Sequence, residues 1–184
     1  YKAGILKRQA PPFENSIIYD EFMHENSLFN KVAKSYLMDE ESSCNSVFYH
    51  VDNDKMNVSI QPWHFDNIQA LKFFIYLKDT NEENGAFKYS YGSHIEGNAR
   101  AQMHLMSGGQ ITNIPNTKKD EYIVNGVSIV APAGSLIIFD TDGYHGGNNK
   151  VSKGERHVIR VHFSKSDFYT YKPRIIFKQY WHYK

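Results

Sequence analysis

The chain carries one cysteine, Cys44, among 184 residues. A lone thiol excludes an internal disulfide framework and any cluster built on several cysteines, so a reducing, cytoplasmic setting is expected. Long apolar runs are missing too. No stretch reaches transmembrane length, and the N-terminal residues lack a signal-peptide hydrophobic segment. The chain opens on Tyr1 rather than Met, so it is expected to be trimmed, with an upstream targeting segment left open. Charge of one sign is also scarce. Twenty-one Lys and Arg stand against twenty Asp and Glu, a formal net charge of +1, and they are scattered. Phosphate-backbone binding needs a concentrated basic face, so nucleic acid is not an expected partner, and neither is a membrane.

Aromatic residues are abundant. Thirteen Tyr and twelve Phe favour a β-rich domain with a ring-lined interior, and the length suits one domain. Asn26 to Met38 is the best predicted helix, with apolar stripes Leu28-Val32-Tyr36 and Phe29-Ala33-Leu37 and a cap at Asn26 or Ser27. From Val47 onward the pattern changes to strands: 47–51, 56–60, 70–77, 86–90, 122–124, 127–130, 135–139 and 156–163. Turn signals separate them, and Asn125-Gly126 is the clearest predicted hairpin. Eight short strands joined by turns predict a mainly β jelly roll, a cupin-like pair of sheets around a cavity. The expected layout is a helical flank over 1–45, a jelly-roll core over 46–165 and a C-terminal extension over 166–184. The stretch Ile95–Glu121 has no clear periodicity and is predicted to be a mobile lid, with Arg100 among its polar contacts.

Within this frame, Trp63-His64-Phe65-Asp66 is followed 79 residues after the aspartate by His145, and Arg156 lies eleven residues further on. In a strand, residues i and i+2 share a face, so His64 and Asp66 can address one ion while Phe65 points away. Two imidazoles and one carboxylate are the facial donor set of non-haem Fe(II), which leaves coordination positions open. Each residue alone reads better as part of a surface turn; the combination points to a metal. Asp140 and Asp142 are rival carboxylates, expected instead to bond within the turn. His50, His94, His104 and His162 are left out of the ligand set. In the run Arg156 to Phe163, one face is Ile159, Val161 and Phe163. The other is Arg156, Val158, Arg160 and His162, and it is predicted to line the cavity. A guanidinium there can bind a carboxylate through two parallel hydrogen bonds, as a buried dicarboxylate co-substrate requires. Gln61 and Lys72 are candidate co-substrate contacts, and Phe74, Tyr76, Arg100 and Arg160 candidate substrate contacts.

Together with the Lys-Phe-Phe-Ile-Tyr-Leu strand, Asn84-Gly85, Gly92-Ser93-His94 and the run Gly134 to Asp140, these motifs resemble the phytanoyl-CoA dioxygenase family. The resemblance spans about Ser59 to Phe163. It departs at Tyr91, where the family often has proline, and at Ser135, where it often has aspartate. It implies a double-stranded β-helix, Fe(II) held by His64, Asp66 and His145, and 2-oxoglutarate held at its distal carboxylate by Arg156. The implied activity is hydroxylation of a small molecule by dioxygen, with release of succinate and carbon dioxide. Two other readings stay open on residues alone: a metal-dependent cupin isomerase or hydrolase, and a non-catalytic binding module.

Overall fold

The computed structural model describes residues 17–53, 63–66, 69–106, 119–146 and 153–166. Two helices come first, α1 (Ile17–Met23) and α2 (Leu28–Leu37). The Ser27 hydroxyl caps α2 by accepting from the Asn30 amide at 3.1 Å, and Met38 closes it in the left-handed conformation at φ 52°. Only one of the two apolar stripes faces fully inward. Phe29, Ala33 and Leu37 pack on the sheet below, whereas Leu28 and Tyr36 are exposed.

Strand β1 (Ser43–Asn53) follows, then β2 (Ala70–Tyr76), β3 (Phe87–Ser90), helix α3 (His94–Met106) and helix α4 (Lys119–Val124). The chain continues through β4 (Gly126–Ile129), β5 (Leu136–Asp140), β6 (His145–Gly146) and β7 (Glu155–Ser164). One antiparallel sheet has the order β1-β7-β2-β5 and the other β4-β3-β6. After β2 the chain visits the second sheet twice, returns for β5, crosses for β6 and returns again for β7. The fold is therefore mainly β, with few helices.

Strand alternation sets what each face does. Leu71 and Phe73 of β2 and Ile159, Val161 and Phe163 of β7 point outward, where Phe22, Ala33 and Leu37 of the helices cover them. The opposite faces supply Phe74, Tyr76 and Val158 to a second core with Phe87 of β3 and Phe139 of β5, between the two sheets. The Tyr76 hydroxyl links the sheets by donating to the Ile129 carbonyl and accepting from the Phe87 amide, both at 3.1 Å.

Three expectations fail here, each for a physical reason. Residues 122–124 belong to helix α4 rather than to a strand, and the Asn125 amide closes that helix onto the Glu121 carbonyl, so Asn125-Gly126 makes no hairpin. The β-prone triplet Tyr-Ile-Val is outweighed by Asp120 and Glu121 in the first helical turn, where carboxylates favour the helix N-terminus. The segment from Ile95 is not structureless, because α3 fills it as far as Met106. Its docking uses backbone proximity and polar contacts rather than an apolar stripe, so periodicity had little to detect. A Cβ on Gly97 would sit 1.6 Å from the Asp142 carbonyl oxygen, Asn98 donates to the Asp142 carboxylate at 2.7 Å, and Tyr122 donates to Glu96 at 2.7 Å. This half of the expected lid is a wall docked on the turn before His145. The expected strand at 56–60 lies outside the described residues.

Candidate metal centre

His64 precedes β2 and pairs with His145 of β6 as an isolated bridge, each amide donating to the other's carbonyl at 2.8 and 2.9 Å. The Asp66 amide donates to the Thr141 carbonyl at 3.2 Å. These backbone bonds fix the spacing of the His-x-Asp segment against the turn that carries the second histidine. One ligand atom from each of His64, Asp66 and His145 lies within 4.8 Å of the others. The Asp66 Oδ1 is 3.3 Å from His64 Nε2 and 3.7 Å from His145 Nε2. Phe65 points the other way, into rings of Tyr122 and Tyr144, with the Arg100 guanidinium 5.1 Å from its own ring centre.

The protonation states suit a metal. Burial, aided by the nearby His64, pushes the His145 imidazole down to about 3, so it is neutral at physiological pH. Its Nδ1 lies 2.7 Å from the Gly143 carbonyl, which assigns the proton to Nδ1 and leaves the Nε2 lone pair for an ion. Burial alone would raise the Asp66 carboxyl. The His64 hydrogen bond and the Lys72 charge outweigh it and hold the group far below the usual carboxylate range. Lys72 Nζ donates to Asp66 Oδ2 at 2.6 Å, which leaves Oδ1 turned toward the imidazoles. Neutral nitrogen and carboxylate oxygen donors fit Fe(II). Gly143 permits the tight turn: a Cβ there would meet the Tyr89 hydroxyl at 1.9 Å.

Of the remaining predicted residues, Lys72, Phe74 and Arg160 lie on the paired strands β2 and β7. Lys72 contacts Asp66, as just described. Phe74 lies under the Arg160 guanidinium, 4.6 Å from its ring centre, and Phe48 flanks the same guanidinium at 5.3 Å. Tyr76 is fully buried, with its hydroxyl bonded across the sheets. Arg100 lies on α3, with its guanidinium 5.1 Å from the Phe65 ring centre. Gln61 lies outside the described residues. Arg156 is buried, and its Nε and Nη2 donate to Asp52 Oδ2 at 2.9 and 2.6 Å, while Nη1 donates to the Gly85 carbonyl at 2.8 Å. Asp52 was not foreseen, because nothing local in the sequence links residues 104 positions apart. As expected for turn residues, Asp140 accepts from the Asp142 amide at 2.8 Å. Burial and the neighbouring Asp140 push the Asp142 carboxyl up to about 7.

Two antiparallel sheets and a convergent His-Asp-His set make an arrangement that could hold a non-haem metal ion. The chain belongs to the phytanoyl-CoA dioxygenase family, whose model matches residues 13–158. Fe(II) and 2-oxoglutarate are that family's cofactors. No curated protein matches. Among solved structures, HygX from Streptomyces hygroscopicus, with nickel, 2-oxoglutarate and hygromycin B bound, is 13% identical at a TM-score of 0.57. That match covers 83% of this chain and 67% of HygX. SnoN, described as a non-heme alpha ketoglutarate dependent epimerase from nogalamycin biosynthesis, is 15% identical at a TM-score of 0.54, over 81% of this chain and 56% of SnoN. AviO1 from Streptomyces viridochromogenes Tue57 is 16% identical at a TM-score of 0.53, over 74% and 56% of the two chains. At such identities the likeness is one of fold. The chain spans 56% of the length of SnoN and of AviO1. No helix among the described residues is long and apolar enough to cross a membrane.

Proposed function

We propose that this chain is a 2-oxoglutarate-dependent oxygenase that hydroxylates a small molecule, built on a double-stranded β-helix of which the two sheets are the facing walls. The observation that carries this reading is the convergence of His64, Asp66 and His145 at the end of a ring-lined interior that also holds a buried arginine. His64 Nε2, Asp66 Oδ1 and His145 Nε2 would hold iron. When bound there, iron and 2-oxoglutarate supply oxidative decarboxylation to succinate and carbon dioxide, coupled to oxidation of the substrate by dioxygen.

The protein's own residues bind, orient and exclude water. The Gly143 carbonyl keeps the His145 proton on Nδ1. Lys72 fixes one oxygen of Asp66 and so aims the other. Arg156 would donate N–H groups to the distal carboxylate of 2-oxoglutarate. Rings of Phe74, Phe87 and Phe139 keep the interior apolar, which strengthens each charged contact made inside it. Succinate release from Fe(II)-loaded protein across a chemically diverse substrate panel tests the reading, with the product then examined for an inserted hydroxyl. Absence of any 2-oxoglutarate-dependent succinate would sink it, and succinate without a hydroxylated product would move the reaction class. Arg156→Ala should weaken 2-oxoglutarate binding far more than Arg160→Ala. The reverse order would transfer the anchor to the guanidinium between Phe48 and Phe74.

A further inference from the structure

Away from the metal ligands, the inner face of the four-stranded sheet holds a second buried polar group. Asp52 of β1 and Arg156 of β7 are direct cross-strand partners, 4% and 3% exposed. Asp52 Oδ2 receives both Nε and Nη2 of the guanidinium, and its Oδ1 lies 2.8 Å from His50 Nε2. Gly85 takes Nη1 through its carbonyl. An arginine carries five N–H donors, and three are committed here. Among the described residues nothing else takes the second N–H of either Nη, so a carboxylate can accept there.

Holding a long side chain in one rotamer before a ligand arrives removes an entropy loss from the binding step. Asp52 can only do this while its own carboxylate is fixed, and His50 occupies the oxygen that Arg156 leaves open. Burial alone would raise the Asp52 carboxyl, but the hydrogen bond from His50 and the charge of Arg156 hold it below its ordinary value. It is therefore an anion when the guanidinium needs one.

We propose that Asp52, oriented by His50, is a positioning residue for Arg156: it sets the guanidinium so that the two remaining donors meet the distal carboxylate of 2-oxoglutarate. This rests on the reading of Arg156 given above. A plain structural ion pair would stabilise the fold and leave ligand choice alone, which gives the two roles different signatures.

The test is equilibrium binding of 2-oxoglutarate, and of pyruvate, to the Fe(II)-loaded protein. Pyruvate keeps the 2-oxo acid end and lacks the distal carboxylate. Asp52→Asn should weaken 2-oxoglutarate roughly 10–100-fold, the range seen when a partner that orients a ligating group is removed, and leave pyruvate unchanged. In an Arg156→Ala background the same change should add nothing. His50→Leu keeps the ion pair, so it guards against loss of the fold; it should weaken 2-oxoglutarate by a smaller factor, and His50→Gln, whose amide can still donate, should restore it. Equal loss for both ligands, unchanged 2-oxoglutarate binding, or additivity with Arg156→Ala would each overturn the proposal. If the wild-type metal-loaded protein binds pyruvate but gains nothing from the distal carboxylate, the reading of Arg156 itself falls, and this one with it.

Discussion

Asp66 and Asp52 each accept a basic side chain of the same sheet, Lys72 in one case and Arg156 in the other, both through an oxygen 2.6 Å from nitrogen. Their second oxygens face different things. In Asp66 it meets two imidazole nitrogens and the side chain keeps 23% of its exposure, whereas in Asp52 it meets His50 and the side chain keeps 6%. One carboxylate is thus arranged to receive something, and the other is closed on protein. A carboxylate with a cation on one oxygen and imidazole nitrogens beside the other is placed to hold an ion; one with both oxygens bonded to protein is a fixture. The difference lies in the partners and not in the residue type.

The comparison breaks most sharply at Asp66. Asp66→Ala should abolish Fe(II) binding and turnover, and it should also lower the apo protein's melting temperature, because Lys72 is left buried and unpaired. Adding Lys72→Met should recover the melting temperature and not the metal. Iron titration and thermal unfolding on the single and double variants check both halves. Metal binding in Asp66→Ala would remove that residue from the ligand set. At the closed site the effect is on stability. Asp52→Ala should destabilise the fold by about 3–5 kcal/mol, the usual range when one member of a buried pair is removed, read as a denaturant midpoint that shifts without a change in slope. Asp52→Ala with Arg156→Met should recover much of it. Full stability in Asp52→Ala alone would mean that the pair is solvated in solution.

What the sequence revealed follows from where its physical signals are local. His64 and Asp66 are legible because extended backbone puts i and i+2 on one face, and β7 is legible because Ile159, Val161 and Phe163 alternate with Arg156, Val158 and Arg160 over a full strand length. Helix α3 is not legible, because Gly97 and Asn98 lower its propensity and its docking runs through an Asp142 carbonyl and carboxylate that no periodicity reports. Helix α4 was hidden by three β-prone residues whose setting decided otherwise. The Asp52–Arg156 pair leaves no local trace: a strand aspartate has many fates, and only the register of β1 on β7 chooses this one.

The smallest effect separates the two carboxylates by acid. Asp52 is held below its ordinary value in the folded protein. A group with a depressed folded value contributes stability that is fully present above the unfolded carboxylate value, about 3.9, and is lost as pH falls through the folded one. The melting temperature of wild-type protein should therefore exceed that of Asp52→Asn by a constant margin at neutral pH, and that margin should narrow only below about pH 4. Asp66 follows the same sign in the apo protein, since its carboxyl is also depressed. Iron should make the two diverge: a metal that needs the ionised carboxylate adds its own binding free energy to the folded state and shifts the acid loss with metal concentration. Melting curves from pH 7 to pH 3, with and without Fe(II), on wild type, Asp52→Asn and Asp66→Asn, resolve this. The iron-dependent shift should survive in Asp52→Asn and vanish in Asp66→Asn. A shift that survives in Asp66→Asn would place the ion elsewhere and erase the distinction between the two sites.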